Sequence, residues 1–215
     1  MDQQKPPEFI LDVFTDPRSV RDVVKGILHT IFFNRFFPSL APRTHEVLDV
    51  TLPYVNDDEL ETLIEQRAYA LERQLDAERL SNSGGQAGGA PAKGDKLSGA
   101  GLGDGGSGGR GQITVQFFER KRKKAWLVGR GDEEVCWETW TIKVTVAEPR
   151  TENERAKVRR AMEQTLFATA MKIVTFVNTH KDHIPPITTQ GGNPFPYKIN
   201  LESKETSWVS RIRIY

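Results

Sequence analysis

The sequence predicts an α+β domain in which helices pack on one face of a sheet. Segments whose apolar residues alternate with period two, typical of strands, are separated by long segments with helical apolar spacing. Two of the strands lie close enough in sequence to form a hairpin. The chain has 215 residues, of which 37% are hydrophobic. Because that content can supply a core of ordinary size, we expect residues 1–215 to form a single domain.

The first predicted strand, residues 9–14, leads directly into the first helix. Asp16 can cap that helix, and Pro17 then occupies the first helical position, where its missing N–H costs nothing. Apolar residues recur at helical spacing from Val20 onward until Pro38 ends the pattern.

A second strand and a second helix follow. Residues 46–52 predict a weaker strand that ends at Pro53. The helix begins after Asn56 with three acids, which complement the helix dipole, and we expect it to end near Leu80. Residues 81–111 are rich in glycine and poor in apolar side chains, which predicts a flexible insertion.

The central hairpin has an unusually long connection. Residues 112–119 and 135–146 alternate as strands, with Trp140 predicted on one face of the sheet and Trp137 on the other. A hairpin closes with about two to five residues, so we expect residues 120–134 to project as a finger. The finger contains five consecutive cations and three bulky apolar residues: Arg120, Lys121, Arg122, Lys123 and Lys124, then Trp126, Leu127 and Val128.

The third predicted helix starts at a capping box, in which Thr151 and Glu154 satisfy each other's backbone N–H groups. Its second half carries more apolar surface than one sheet face needs, because Phe167, Met171 and Phe176 lie beside the core-facing stripe. Two interpretations stay open. Either the helix is buried between the sheet and another helix, or these three residues form a subunit interface.

The remaining chain predicts a loop and two strands. The loop covers residues 178–194, and the strands cover residues 197–203 and 207–215. His180 and His183 lie in the loop, three residues apart. At the end of a helix such histidines are typically solvated polar residues, so we predict no metal site.

No group of residues predicts catalysis or cofactor binding. Cys136 lies beside Trp137 in a predicted strand, which favours a core thiol over a nucleophile. The carboxylates cluster in helix starts and turns, where capping and solubility explain them. The Gly-x-Gly-x-x-Gly motif at 101–106 lacks a preceding strand and a following helix. The P-loop spacing of Gly89 and Gly94 lacks the following lysine and hydroxyl residue that contact phosphate and magnesium. We therefore expect a protein that is not an enzyme and has no cofactor.

Charge and cysteine content restrict the partners and the compartment. The net charge of +1 gives no general attraction to nucleic acid or anionic membranes, so such a role would depend on the basic residues 120–124. The single cysteine excludes an internal disulfide and suits a reducing compartment. We find neither an apolar run long enough to span a bilayer nor a signal peptide, and we expect a soluble protein of the cytosol or nucleus.

These residues also carry a family resemblance. Over nearly its whole length, apart from the first few residues and the glycine-rich insertion, the sequence resembles the small HORMA-domain subunits of the autophagy-initiation kinase complex. Its most specific part is the segment Trp-Glu-x-Trp-Thr-x-Lys-Val, which begins at Trp137. The resemblance also rests on residues 27–31, 113–118, 197–199 and Trp126.

The resemblance implies a non-enzymatic scaffold of the cytoplasm and the preautophagosomal structure. Its fold would be a HORMA domain of three helices on a mainly antiparallel sheet, and its partner the HORMA domain of autophagy-related protein 13, which it would bind and stabilise. Members of the family resemble the open HORMA state, and this chain ends at Tyr215, directly after the last predicted strand. We therefore expect neither a wrapping C-terminal segment nor the C-terminal helix of animal members.

The family also implies a projecting finger that recruits downstream autophagy factors through a tryptophan and a phenylalanine. Trp126 matches the tryptophan, whereas Val128 stands where the phenylalanine is expected. A fully buried valine contributes less than a phenylalanine, by about 1 kcal/mol. We expect Trp126 to project rather than fold back on the domain, because five adjacent cations cannot all be buried.

A different class of function fits the same segment. Residues 120–128 combine cations with Trp126, a combination that also suits a lipid surface or a nucleic acid, with the indole inserted or stacked. Such binding would depend steeply on salt concentration. We keep it as the alternative to the adaptor.

Overall fold

A computed structural model of the chain describes residues 5–38, 41–83, 109–122, 132–188 and 192–202. Within these ranges it contains three helices and six strands. In chain order they are β1 (Glu8–Thr15), α1 (Val20–Arg35), β2 (Arg43–Val47), β3 (Val50–Tyr54), α2 (Asp58–Ser83), β4 (Arg110–Arg122), β5 (Asp132–Val146), α3 (Glu152–Thr179) and β6 (Tyr197–Leu201). The predicted α+β class is confirmed.

Four strands form a mixed sheet in the order β1-β5-β4-β6. β4 pairs antiparallel with both β5 and β6, whereas β1 pairs parallel with β5. Most of the sheet is therefore antiparallel, as expected, but the first strand joins it in the parallel sense. A parallel neighbour needs a long crossover connection, and the segment between β1 and β5 supplies one that includes α1 and α2.

The helices cover one face of this sheet. α1 packs between α2 and α3, α3 lies against β1, and α2 lies against β4 and β6. The residues of β1 that face the helices, Phe9, Leu11 and Val13, are buried and alternate with more exposed neighbours. Trp140 of β5 is fully buried in the same core. Because this face holds most of the buried apolar area, it supplies most of the hydrophobic stabilisation.

The segment between α1 and α2 differs from the single strand predicted over residues 46–52. It is a hairpin, in which Leu48 and Asp49 connect β2 to β3 with φ angles of 50° and 61°. Two successive residues with positive φ are typical of a type I′ turn, which matches the twist of antiparallel strands. Leucine is not a usual residue in such a turn, and for that reason the sequence pattern did not reveal it.

The hairpin packs closely on α1 at Gly26. A Cβ atom at this position would lie 2.7 Å from Leu52 Cδ1 and 3.3 Å from Val47 Cγ2. Glycine in a helix interior costs about 1 kcal/mol relative to alanine. Here the missing side chain lets the hairpin approach the helix backbone.

The helix starts agree only partly with the predictions. α1 begins at Val20, and Asp16 Oδ1 accepts the N–H of Ser19 at 2.8 Å, so Asp16 caps the turn before the helix. At α3 the capping box is confirmed: the N–H of Glu154 donates to Thr151 Oγ1 at 3.2 Å, and the N–H of Thr151 donates to Glu154 Oε2 at 3.1 Å.

The predicted insertion is shorter than residues 81–111. α2 continues to Ser83 and β4 already begins at Arg110, so both ends of that segment belong to regular structure. Residues 84–108 lie outside the described residues, as does the predicted strand over residues 207–215.

A β-bulge in β5 changes the direction in which Trp137 points. Phe117 pairs with Glu138 and Phe118 pairs with Cys136, which leaves Trp137 as the extra residue. Trp137 is 6% exposed and packs in the core, with its ring 5.7 Å from that of Phe117. The prediction that Trp137 and Trp140 face opposite sides is therefore wrong, because strict alternation fails at a bulge.

None of the helices in the described ranges contains an apolar stretch that could span a bilayer.

Candidate functional site

Three exposed large apolar side chains lie on α3. Phe167 is 57% exposed, Met171 49% and Val174 39%. Their spacing of four and three residues places them on one face of the helix. Other α3 residues, including Leu166 and Ile173, are buried in the core. α3 therefore has a second apolar face, which we call the α3 stripe: Phe167, Met171 and Val174.

Phe176, predicted to belong to this surface, does not. It is partly buried, and its ring stacks on that of Phe9 with the centroids 4.9 Å apart. The Lys172 ammonium lies 5.5 Å from the same ring and donates to the carbonyl oxygen of Ile10. Val174, at 39% exposed, takes the place of Phe176 on this face. Its spacing from Phe167 and Met171 was the signal that could have found it.

The N-terminal part of α3 is polar. Arg159 donates to Glu163 in the same helix and to Asp49 in the β2–β3 turn, both at 2.9 Å. These bonds connect the helix to the hairpin and raise the pKa of the Arg159 guanidinium, with the hydrogen bond to Asp49 as the main cause. The exposed apolar surface of α3 is thus confined to its second half.

The predicted finger has a base of paired strands. Arg120 pairs with Glu134, Lys121 with Glu133, and Arg122 with Asp132. The boundaries 120–134 are therefore too wide, because both ends of that range belong to the β4–β5 ladder. The rest of the predicted finger, including Lys123, Lys124, Trp126, Leu127 and Val128, lies outside the described residues.

The cations at this base face acids. Arg120 and Lys121 each have an acidic residue opposite them on β5, Glu134 and Glu133, an arrangement that favours strand pairing. Lys121 also forms an ion pair with Glu119 at 3.1 Å. Lys198 of β6 donates to Glu134 at 2.9 Å, which lowers the pKa of that carboxyl group. The described part of the basic patch is therefore matched locally by negative charge.

A buried carboxylate lies at the centre of β5. Glu138 is fully buried, and Arg35 Nε donates to its two oxygens at 2.9 and 3.0 Å. The indole N–H of Trp140 donates to Oε1, and His183 Nε2 lies 2.7 Å from Oε2. The cluster joins the end of α1, the middle of β5 and the loop after α3.

This cluster corrects two predictions. The sequence analysis placed the carboxylates in helix starts and turns, yet Glu138 is in the core. It also described both loop histidines as solvated, which holds for His180 but not for His183, whose side chain is 21% exposed and bonded to Glu138. One signal in the sequence could have revealed the burial of Glu138: it lies between Trp137 and Trp140 in a strand, and tryptophans are typically buried.

Potential metal ligands and Cys136 are the other chemically relevant groups among the described residues. In the part of the chain that the structure describes, no three His, Cys, Asp or Glu side chains are grouped to hold a metal ion. Cys136 is half-buried rather than part of the core, and its Sγ lies 3.5 Å from both the Glu138 carbonyl oxygen and Thr139 Oγ1.

These features define a class of protein: an α+β domain that, within its described residues, has an exposed apolar helix face and a long strand hairpin. The family model for autophagy-related protein 101 matches residues 12–191. The chain therefore belongs to the autophagy-related protein 101 family, and this membership supports a role in autophagy. The resemblance seen in the sequence is confirmed.

Three relatives show the extent of the similarity. The autophagy-related protein 101 of Schizosaccharomyces pombe is 27% identical over 193 residues, which cover 89% of this chain and 85% of the relative. The protein of Arabidopsis thaliana is 26% identical, covering 87% and 83%, respectively. The protein of Xenopus tropicalis is 28% identical, covering 94% and 90%.

Proposed function

We propose that this protein is a non-enzymatic adaptor of autophagy initiation. In this proposal it has an open-state HORMA fold, and it binds and stabilises the HORMA domain of autophagy-related protein 13 within the autophagy-initiation kinase complex. The main support for this proposal is the exposed α3 stripe, found in a chain that belongs to this family. The protein would act in the cytoplasm and at the preautophagosomal structure.

The α3 stripe has the chemistry of a protein-binding surface. Phenylalanine and methionine are enriched at interfaces, and here they form a contiguous apolar strip with Val174 in the exposed second half of a long helix. A specific heterodimer buries at least about 1,000 Å² in total. Three side chains supply only part of that area, so the interface extends onto the surfaces beside the stripe.

The test of this interface is a variant that changes the stripe and not the fold. Phe167→Asp places a charge at the most exposed stripe position and should abolish co-elution with the partner HORMA domain at micromolar concentration. The matched control is Tyr69→Asp on α2, since Tyr69 is also an exposed aromatic residue, at 47%. Wild-type co-elution of the Phe167 variant, or equal loss in both variants, would contradict the assignment.

Recruitment of downstream factors is the second part of the proposal. It assigns this role to the segment that contains Trp126, Leu127 and Val128. The support is that β4 and β5 stay paired as far as Arg122 and Asp132, the two described residues that flank the segment. The substitution of valine for the expected phenylalanine at position 128 predicts a recruited surface with a smaller pocket at that point.

Binding to a lipid surface or a nucleic acid is the less favoured function. Its support was the run of cations at 120–124, yet Arg120 and Lys121 face Glu134 and Glu133 across the ladder. Opposed charges of this kind reduce the local field that attracts phosphates. Liposome or oligonucleotide binding that falls steeply with salt would favour this function over the adaptor.

A further inference from the structure

Within the described residues, β1 lies at one edge of the four-stranded sheet, with β5 as its neighbour. The carbonyl oxygens of Pro7 and Thr15 accept the N–H groups of Thr139 and Ala147 at 3.0 and 2.8 Å. In a parallel pair the N–H and C=O groups of one residue point to the same side, and successive residues alternate. The odd-numbered residues of β1 therefore pair with β5, and the even-numbered residues present their backbone groups at the free edge.

Two contacts from α3 show the same alternation. Lys172 Nζ donates to the carbonyl oxygen of Ile10 at 2.8 Å, and the N–H of Asp16 donates to Sδ of Met162 at 3.3 Å. Both contacted residues of the edge are even-numbered, as expected for groups that point away from β5. The part of the edge between these two contacts is formed by residues 12–14.

The N–H and C=O groups of Asp12 and Phe14 form the open part of the edge. None of these four groups has a hydrogen-bond partner among the described residues. Unpaired groups at a strand edge are a template for pairing with another extended chain. An extended polypeptide is suited to them, because it presents its own N–H and C=O groups at the same spacing.

A groove of about 410 Å³ lies beside this open part of the edge. Its lining consists of Asp12 of β1 and five residues of α3: Gln164, Thr165, Ala168, Thr169 and Lys172. Three of these five are alanine or threonine, whose small side chains leave room for a neighbouring backbone. None belongs to the α3 stripe, so the groove is a separate surface of the helix.

Thr169 adds an unpaired polar group to this groove. It is only 5% exposed, and its hydroxyl forms no hydrogen bond with the described residues. The other three threonines of α3 each donate to the carbonyl oxygen four residues earlier. Among the described residues, the fully enclosed side-chain polar atoms without a partner belong to His29 and Trp137, so the Thr169 hydroxyl is open to the groove that it lines. Buried hydroxyls are usually paired, which indicates a partner from outside this set of residues.

The charge at the open edge favours a basic partner. The side chain of Asp12 is exposed, and among the described residues it forms no ion pair, although Lys143 of β5 lies opposite it in the ladder. The groove's own cation, Lys172, already donates to Ile10. A residue that pairs with Asp12 across the open edge would lie beside this carboxylate, and opposite charges in such cross-strand pairs are stabilising.

A second copy of β1 cannot supply that charge. The even-numbered residues along the edge are Glu8, Ile10, Asp12, Phe14 and Asp16, none of which is basic. Two β1 strands paired through these residues would leave Asp12 without a counter-charge, and a pair centred on Asp12 would place two carboxylates opposite each other.

We propose that the free edge of β1 beside α3 binds an extended segment of a partner protein, which adds to the sheet as a further strand. The residue of that segment opposite Asp12 is lysine or arginine, and its side chain shares the face of the sheet with Asp12. The residues on either side point to the opposite face, toward Ala168 and Thr169, and have small side chains. The site is separate from the α3 stripe, and its occupation does not depend on the partner HORMA domain.

The first test is amide hydrogen exchange of the whole chain, followed by nuclear magnetic resonance. The amides of Asp12 and Phe14 should exchange fast in the free protein, whereas those of Leu11 and Val13, which pair with β5, should exchange slowly. Slow exchange of Asp12 and Phe14 at every protein concentration would mean that another segment of this chain occupies the edge. Slow exchange only at high protein concentration would mean that a second copy occupies it. Either result would overturn the proposal.

The second test is a titration with two capped peptides. The probe is acetyl-Thr-Arg-Thr-Arg-Thr-amide, which alternates basic and small side chains, and its matched control has glutamate in place of both arginines. The arginine peptide should bind saturably and slow the exchange of the Asp12 and Phe14 amides. The glutamate peptide should bind about two- to fivefold more weakly. Absence of saturable binding, or equal binding of the two peptides, would overturn the proposal.

Variants at exposed positions connect this binding to the proposed contacts. Asp12→Lys should reverse the preference, so that the glutamate peptide binds more tightly than the arginine peptide. Glu202→Lys makes the same charge change at the end of β6, on the opposite edge of the sheet, and should keep the wild-type preference. Ala168→Trp fills the groove and should prevent the binding of both peptides. An unchanged preference in Asp12→Lys, a reversed one in Glu202→Lys, or wild-type binding by Ala168→Trp would contradict the assignment.

Discussion

The guanidinium of Arg35, in the last turn of α1, holds the carboxylate of Glu138, in the middle of β5, with Nε 2.9 and 3.0 Å from its two oxygens. Both side chains are at most 3% exposed. Their charges are therefore removed from water and compensated mainly by each other, by the Trp140 indole and by His183.

Removing one partner of this pair should destabilise the protein strongly. Arg35→Met and Glu138→Leu each leave a buried charge without its counter-charge, and we expect each to lower the free energy of unfolding by about 3–5 kcal/mol. The double variant should recover part of that loss, because no unpaired charge remains. Urea unfolding of the four proteins measures this coupling, and additive effects in the double variant would show that the pair is not the cause.

Truncation of Trp140 should be comparably costly for a different reason. Trp140 is fully buried against Phe9, with ring centroids 4.6 Å apart, and it also donates to Glu138. Trp140→Ala should cost roughly 3–5 kcal/mol of unfolding free energy through the cavity that it creates. Denaturant unfolding is the measurement, and wild-type stability would mean that this strand faces the other way.

His29 should make stability depend on pH. Its pKa is lowered from 6.5 to about 4, so the unfolded chain binds a proton at higher pH than the folded chain does. The contribution of His29 is therefore fully present above pH 6.5 and is lost as the pH falls toward 4, by about 2 kcal/mol at pH 5.

His29→Phe removes this titration, so comparison of the two proteins at pH 7.5 and pH 5 isolates it from the other groups. The destabilisation caused by the substitution should be smaller at pH 5 by about 2 kcal/mol. If the substitution destabilised the protein equally at both pH values, the folded protein would bind a proton at His29 as readily as the unfolded chain does.

Local sequence patterns predicted the features that depend on nearby residues. The capping box of Thr151 and Glu154 spans four residues, and the paired strands follow directly from two-residue periodicity. Features that depend on distant residues were missed. Arg35 and Glu138 are 103 positions apart, so no local pattern showed that a glutamate in a strand would be buried with a counter-charge.

Two errors arose from breaks in regular patterns. Leu48 adopts positive φ, against the local preference of leucine, in the turn between two strands that both pack on α1. The bulge at Trp137 inverted the predicted facing of one tryptophan. Part of the exposed α3 surface was predicted, since Phe167 and Met171 are exposed together. The partial burial of Phe176 depends on its stacking with Phe9 of β1, which no local pattern could show.

If Trp126 is a recruitment residue and not part of the core, its removal should separate function from folding. Trp126→Ala should change the free energy of unfolding by less than about 0.5 kcal/mol, as for other surface substitutions, and leave the complex with the partner HORMA domain intact. Autophagosome formation should nevertheless fall. Val128→Phe, which restores the residue expected in the family, is the matched variant in the same segment and should retain recruitment. A large drop in the melting temperature of Trp126→Ala would instead place its indole in the core and remove the basis for the recruitment role.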